Sequence, residues 1–92
     1  MEQRPLAQGT GSRNNVVNVY PDRVEIWNGY QNRSDVSVGL KQVASVSIKG
    51  LINCTLTIEV NDGRRLSVES LAPPDARQIK AAIERQKRTA GL

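Results

Sequence analysis

The chain has 92 residues, a formal net charge of +4 and an aromatic content of only 3%. A chain of this length forms one domain with a small core, and because it contains no Phe, that core must be built from Val, Ile and Leu. It also contains no histidine and a single cysteine, Cys54. This composition excludes an internal disulfide and a cysteine-rich zinc site, and it removes the commonest general base.

The remaining candidates for chemistry are scattered carboxylates, and no spacing among them indicates a catalytic site, a metal site or a cofactor site. We therefore expect a protein that is not an enzyme. No apolar run exceeds three residues, so neither a transmembrane helix nor a signal-peptide core is expected. A single cysteine fits a reducing compartment, and Cys54 alternates with inward-facing residues, as a small buried hydrophobe does. Together with the short apolar runs, these features predict a soluble cytoplasmic protein.

The N-terminal residues 1–14 are rich in Gly, Gln, Arg and Pro, and Leu6 is their only large aliphatic residue. This composition predicts a flexible or loosely attached arm. The folded domain is then expected to span residues 15–92.

A first hairpin is predicted from residues 16–20 and 24–27, which flank the turn pair Pro21-Asp22. A loop of two or four residues sets Val19 opposite Val24 and gives the hairpin one apolar face. The reverse face then carries Val16 opposite Trp27, with Tyr20 close by, as a second apolar patch. Together with Tyr30 from the loop over residues 28–34, these residues are a candidate protein-interaction surface. Coverage of this patch by the arm, through Leu6, is the alternative interpretation.

Two further strands are predicted over residues 35–40 and 43–49, separated by a bend near Lys41-Gln42. Alternation places six of their residues on inner faces, namely Val36, Val38, Leu40, Ala44, Val46 and Ile48. A three-residue turn over 49–51 would then pair Ile48 with Ile52.

The clearest pattern is the strict alternation that places Ile52, Cys54, Leu56, Ile58 and Val60 on one face of a single strand. The turn that follows can be deduced from parity. If Ile58 and Leu66 both face the core, the loop between their strands must contain an odd number of residues. Residues 61–63 form such a three-residue loop, with Gly63 at the left-handed position. A sixth strand over residues 64–71 completes the hairpin.

A C-terminal helix is predicted over residues 74–89, because Pro73-Pro74 ends the last strand and Asp75 suits the first helical turn. Its narrow apolar stripe comprises Ala76, Ile79, Ala82, Ile83 and Ala90. The helix is also the basic part of the chain, since residues 1–76 hold eight basic and eight acidic side chains. Its candidate contacts to an anionic surface are Arg77, Lys80, Lys87 and Arg88.

These elements together resemble a small bacterial pleckstrin-homology-like (PH-like) domain. The segments that carry the resemblance are VYPDRVEIW, VGLKQVASVSIKG, LTIEVNDGRRLSVESL and PPDARQIKAAIER, within residues 15–88. The resemblance implies an α+β, mainly β fold, in which a strongly bent antiparallel sheet or partial barrel of six to seven strands is closed by one C-terminal helix. Six strands are predicted above, and a seventh would come from a split at the bend near Lys41-Gln42 or from the N-terminal arm. The clustered lysines and arginines of phosphoinositide-binding members are absent from the Pro21-Asp22 turn, so inositol-phosphate binding is not implied.

Two functions follow as hypotheses. The first is a non-enzymatic protein-interaction or assembly module, which self-associates as a homo-oligomer or docks a protein partner. The second is binding to an anionic surface, either membrane headgroups or nucleic acid, through the basic helix. No cofactor and no small-molecule substrate are indicated.

Overall fold

The computed structural model describes residues 4–31 and 33–91 and contains two antiparallel sheets and one C-terminal helix. The first sheet has the strand order β1-β2-β3-β4, with bounds Ala7–Thr10, Asn15–Val19, Arg23–Asn28 and Arg33–Gly39. The second has the order β5-β6-β7, with bounds Val43–Lys49, Cys54–Val60 and Arg65–Leu71. Helix α1 spans Pro73–Thr89, and short 3-10 turns occupy Ser12–Asn14 and Leu40–Gln42. The expectation of a mainly β fold with a C-terminal helix is confirmed.

One apolar cluster joins the inner faces of both sheets to helix α1. Ala76, Ile79 and Ile83 of the helix are each completely buried, and the helix packs against β1, β2, β5 and β6. Gly9 in β1 permits this packing, because a Cβ at that position would lie only 3.0 Å from Ile79 Cδ1. The predicted stripe is therefore confirmed up to Ile83, whereas Ala90 is exposed beyond the end of the helix.

Both hairpins that parity predicted have the expected register. Val19 pairs with Val24 across the two-residue turn Pro21-Asp22, and the Tyr20 N–H donates to the Arg23 carbonyl. Ile58 pairs with Leu66, and the intervening loop of residues 61–63 closes through two backbone hydrogen bonds of 2.9 Å. Gly63 has a φ of +96°, in the left-handed region that favours glycine.

The N-terminal segment is more ordered than its composition predicted. Residues 7–10, expected in a flexible arm, form β1, which pairs with β2 and contributes the buried Ala7. Small residues are sufficient here because β1 lies under the helix, where Gly9 and Ala7 permit close approach. The prediction for Met1, Glu2 and Gln3 lies outside the described residues.

The inward residues of β5 differ from the alternation prediction, because a bulge interrupts the strand. Val43 pairs with Val60 and Ser45 with Glu59, so Ala44 is the extra residue of the bulge. Val43 is buried and Ala44 is exposed, which reverses the prediction for Ala44, while Val46 remains buried.

The connection between β5 and β6 also differs from the predicted three-residue turn. Ile48 pairs with Leu56, not with Ile52, and residues 50–53 form a four-residue loop. The alternating pattern therefore applies to β6 only from Cys54 onward, and the predicted burial of Ile52 is wrong: its side chain is 82% exposed.

A second bulge lies near the end of β7. Cys54 pairs with Leu71 and Leu56 with Val68, so Glu69 and Ser70 together face the single residue Thr55. Ser70 adopts a φ of +60°, a conformation that few residues other than glycine adopt. The bulge shifts the parity of the strand, so that Val68 and Leu71 both enter the core although they are three residues apart.

Candidate functional site

The predicted patch on the first hairpin is divided by the structure into a packed part and an exposed part. Val16 and Trp27 form a cross-strand pair and are both half-buried. Tyr20 is only 6% exposed, because the Arg23 guanidinium lies over its ring at 4.2 Å from the centroid. Tyr30, in contrast, is 78% exposed. Tyr20 therefore belongs to the packed body of the domain, and Tyr30 is the accessible aromatic side chain of the four.

Polar contacts fix the orientation of the side chains next to this patch. The Trp27 indole Nε1 donates to one carboxylate oxygen of Glu25 at 2.8 Å, and the Arg23 Nε donates to the other at 2.9 Å. Arg23 also pairs with Asp22 at 2.7 Å. The hydrogen bond to Glu25 is the main reason that the pKa of Arg23 is raised above its usual value. The network holds Trp27 in place and orients the Arg23 guanidinium.

Hydrogen bonds hold the backbone of residues 29–31, the segment that carries Tyr30. The Asn28 Oδ1 accepts hydrogen bonds from the backbone N–H groups of Tyr30, at 2.9 Å, and Gln31, at 3.3 Å. The Gly29 N–H donates to the Asn14 carbonyl at 2.9 Å, which ties this loop to the connection between β1 and β2. The Tyr30 side chain is thus presented to solvent from a backbone whose N–H groups at residues 29–31 are all hydrogen-bonded.

A second exposed apolar feature, absent from the sequence predictions, lies in the β5–β6 loop. Leu51 and Ile52, which we call the β5–β6 tip, are 93% and 82% exposed. Gly50 has a φ of +104°, and its carbonyl accepts a hydrogen bond from the Cys54 thiol at 3.6 Å. The sequence signal for this loop is a glycine followed by two adjacent aliphatic residues. The signal is easily overlooked, because Ile52 fits the alternating pattern of β6 and so resembles a further inward-facing residue of that strand.

The basic helix retains only part of its predicted anionic-surface contacts. Lys80 pairs with Glu84 at 3.3 Å, one turn further along the helix. Lys87 donates to the Val43 carbonyl at 2.7 Å and to the Ala44 carbonyl at 3.5 Å. The exposed Arg77 and Arg88 therefore remain as surface cations of the predicted set. Lys87 therefore belongs to the contact between the helix and β5 and is not a free surface cation.

This contact supports a prediction for stability. We expect Lys87→Met to lower the free energy of unfolding by about 1–3 kcal/mol, because a charged hydrogen bond to the bulge of β5 is lost while the aliphatic stem is kept. Arg88→Met, at the exposed neighbouring position, should change stability by less than about 0.5 kcal/mol. Urea denaturation of both variants measures the difference, and equal midpoints would contradict a structural role for Lys87.

The edges of the two sheets carry features that oppose pairing with a further strand. In β4, Asp35 is the extra residue at an irregularity in the pairing with β3, and the charges of Asp35 and Arg33 are both exposed. The bulge of β5 is covered by Lys87, and the bulge of β7 contains Ser70. Helix α1 packs against β1. Strand addition is therefore a poor mode of binding for this fold.

Within residues 4–31 and 33–91, no group of three or more His, Cys, Asp or Glu side chains could hold a metal ion. A small polar cavity of about 130 Å³ lies between the β1–β2 connection and β7, lined by Ser12, Arg13, Asn15, Ser67 and Glu69. No helix in the same described part of the chain is long and apolar enough to cross a membrane.

Comparison of the chain with known protein families and with curated proteins finds no match to either.

Proposed function

We propose that this protein is a non-enzymatic interaction module of PH-like architecture that binds a protein, either a second copy of itself or another chain. The sheets of four and three strands, followed by a single helix that packs against both, support the PH-like assignment. More specifically, we propose that the two sheets form a strongly bent partial barrel and that the helix closes it. The free, buried thiol of Cys54 is compatible with the reducing cytoplasm in which we place the module.

The observation that carries the proposal is the presentation of Tyr30. A tyrosine that is 78% exposed on a loop with three hydrogen-bonded backbone N–H groups needs little further ordering of its backbone when a partner covers it. Tyrosine is also enriched among the residues that dominate protein interfaces. The half-buried pair of Val16 and Trp27 lies at the end of β2 and β3 from which this loop begins.

The alternative function, binding to nucleic acid or membrane headgroups through the basic helix, has weaker support. Lys80 and Lys87 are already paired within the domain, and Arg77 and Arg88 are eleven positions apart in the sequence. Binding through a sheet edge is disfavoured by the charges and bulges described above. A protein contact centred on Tyr30 is therefore the function that we favour.

The proposal predicts that Tyr30→Ser weakens the protein contact by at least ~10-fold without changing stability, because a central aromatic anchor is lost. Self-association of the wild type at high micromolar concentration is measured by light scattering. If the wild type is a monomer, a photoreactive amino acid at position 30 identifies a foreign partner, whose affinity for the wild type and the variant is then measured.

The matched control is the exposed neighbour in the same loop, for which Gln31→Ser should leave the affinity unchanged. A photoreactive group at position 62, in the β6–β7 turn, should give no equivalent adduct. Equal loss of affinity in both serine variants, or the absence of any adduct specific to position 30, would contradict the proposed contact.

A further inference from the structure

The polar cavity between the β1–β2 connection and β7 is lined by two opposite charges that do not pair with each other. Arg13 and Glu69 both line it, yet within residues 4–31 and 33–91 neither side chain has an ion pair or a hydrogen bond. Glu69 does not pair with Lys49 either, which lies across Thr55 on β5. Most acidic side chains of the same residues do pair with an arginine or a lysine, namely Asp22, Glu25, Asp35, Glu59, Asp62 and Glu84.

Unusual backbone conformations are concentrated at this cavity. Arg13 and Asn14, on the β1–β2 connection, have φ values of +57° and +56°, and Ser70, directly after Glu69, has a φ of +60°. No other non-glycine residue in the described part of the chain has a positive φ. Asparagine tolerates this conformation, but arginine and serine adopt it rarely. Such residues persist only where their surroundings impose the conformation, and they are concentrated at ligand sites.

Close packing fixes the two walls of the cavity relative to each other. A Cβ at Gly11 would clash with the carbonyl oxygen of Glu69, so the β1–β2 connection lies directly against β7 at this point. The Gly11 N–H also donates to the Asn15 carbonyl at 2.9 Å, which closes the connection on itself. Arg13 and Glu69 are therefore attached to a backbone that needs little further ordering when a ligand binds.

The chemistry of the lining matches a ligand that carries both charges. A guanidinium binds a carboxylate through parallel N–H donors, and a carboxylate accepts hydrogen bonds from an ammonium group. Neutral donors and acceptors complete the lining, from Ser12, Asn15 and Ser67. The cavity volume of about 130 Å³ equals that of about four water molecules at about 30 Å³ each. This space suits a small amino acid and is too small for a nucleotide.

We propose that this cavity binds a small zwitterionic amino acid, with the ligand carboxylate on Arg13 and the ligand ammonium group on Glu69. The site uses none of the side chains of the proposed protein contact around Tyr30. Either proposal can therefore fail without the other.

The test is an NMR titration of the full ¹⁵N-labelled chain at low ionic strength, with glycine, L-alanine and L-serine as probes. At least one probe should shift the amide signals of residues 12–15 and 67–70 saturably, with a dissociation constant on the order of 1 mM. Propionate and ethylamine are matched to L-alanine but lack its ammonium group and its carboxylate, respectively. Each should bind at least ~10-fold more weakly than L-alanine.

Variants then assign the two charges. Arg13→Gln and Glu69→Gln should each weaken binding by at least ~10-fold and leave the melting temperature unchanged, since both side chains are exposed and unpaired in the described structure. The matched controls are Arg88→Gln, at an exposed position of the helix, and Glu59→Gln, on the strand next to β7. Both should change the affinity by less than about 2-fold.

A cavity that only water occupies would give no saturable shift with any of the three probes, and this result would overturn the proposal. Binding that both cavity variants retain would also overturn it. Propionate binding as tight as that of L-alanine would exclude a role for Glu69, and ethylamine binding as tight would exclude one for Arg13; either result contradicts a site for a zwitterion.

Discussion

Ile83→Asp is expected to leave little folded protein at room temperature. Ile83 is completely buried in the cluster that joins helix α1 to both sheets, so an aspartate there would place a carboxylate among apolar side chains. The cost should exceed about 4 kcal/mol, a large part of the stability of a domain with so few core residues. Detachment of the helix would not avoid this cost, because it would also remove Ala76 and Ile79 from the core.

The matched control for this variant is Ala81→Asp, which introduces the same charge two positions earlier on an exposed side of the helix. It should cost no more than about 1 kcal/mol, through helix propensity alone. Far-UV circular dichroism and thermal melts distinguish the two variants. A cooperative melt of Ile83→Asp near the wild-type temperature would show that the helix is not required to close the core.

The parts of the fold that the sequence predicted correctly are those in which local chemistry and parity agree. The β6–β7 turn is the clearest case, because Gly63 fits the left-handed position and an odd loop keeps Ile58 opposite Leu66. Asp62 adds to this turn, since the backbone N–H of Arg64 donates to its carboxylate at 3.0 Å and thereby lowers the pKa of Asp62. The prediction of helix α1 was correct for a similar reason, because its prolines and its apolar stripe indicate the same starting point.

The error in β5 has its physical origin in a residue that interrupts the two-residue period. The bulge at Ala44 shifts the parity of the strand, and the position is not a glycine that would reveal it. Strand β1 was not recognised from its own residues for another reason. Its inward residues, Ala7 and Gly9, are small because the helix lies against them, so the strand carries almost no hydrophobic signal of its own.

The candidate site was predictable only in part. The sequence identified Tyr30 and Trp27 as unusual apolar residues, but it could not show that Arg23 covers Tyr20, since this contact depends on the geometry of the hairpin turn. The separation of the four helix cations into paired and exposed groups likewise required the tertiary structure. Lys87 reaches a carbonyl 44 positions away in the sequence, a contact that no local pattern indicates.

The remaining large effect concerns Ile58, for which truncation to alanine should lower the free energy of unfolding by about 2–5 kcal/mol. Ile58 is 1% exposed and lies on the central strand of the second sheet, between Val46 on β5 and Leu66 on β7. Removing its side chain leaves a cavity bounded on both sides by paired strands, which limits how far the surroundings can relax. Chemical denaturation at equilibrium measures this loss.

Ile52→Ala is the matched variant, because the same residue type occupies the same alternating parity six positions earlier. The alternation alone predicts equal losses for the two variants, whereas the structure predicts less than about 0.5 kcal/mol for Ile52, whose side chain is 82% exposed. A loss at Ile52 comparable to that at Ile58 would mean that the β5–β6 tip is packed in solution, contrary to its exposure in the structure. A large loss at Ile58 but not at Ile52 would show that the alternating pattern predicts burial only from Cys54 onward, where β6 begins.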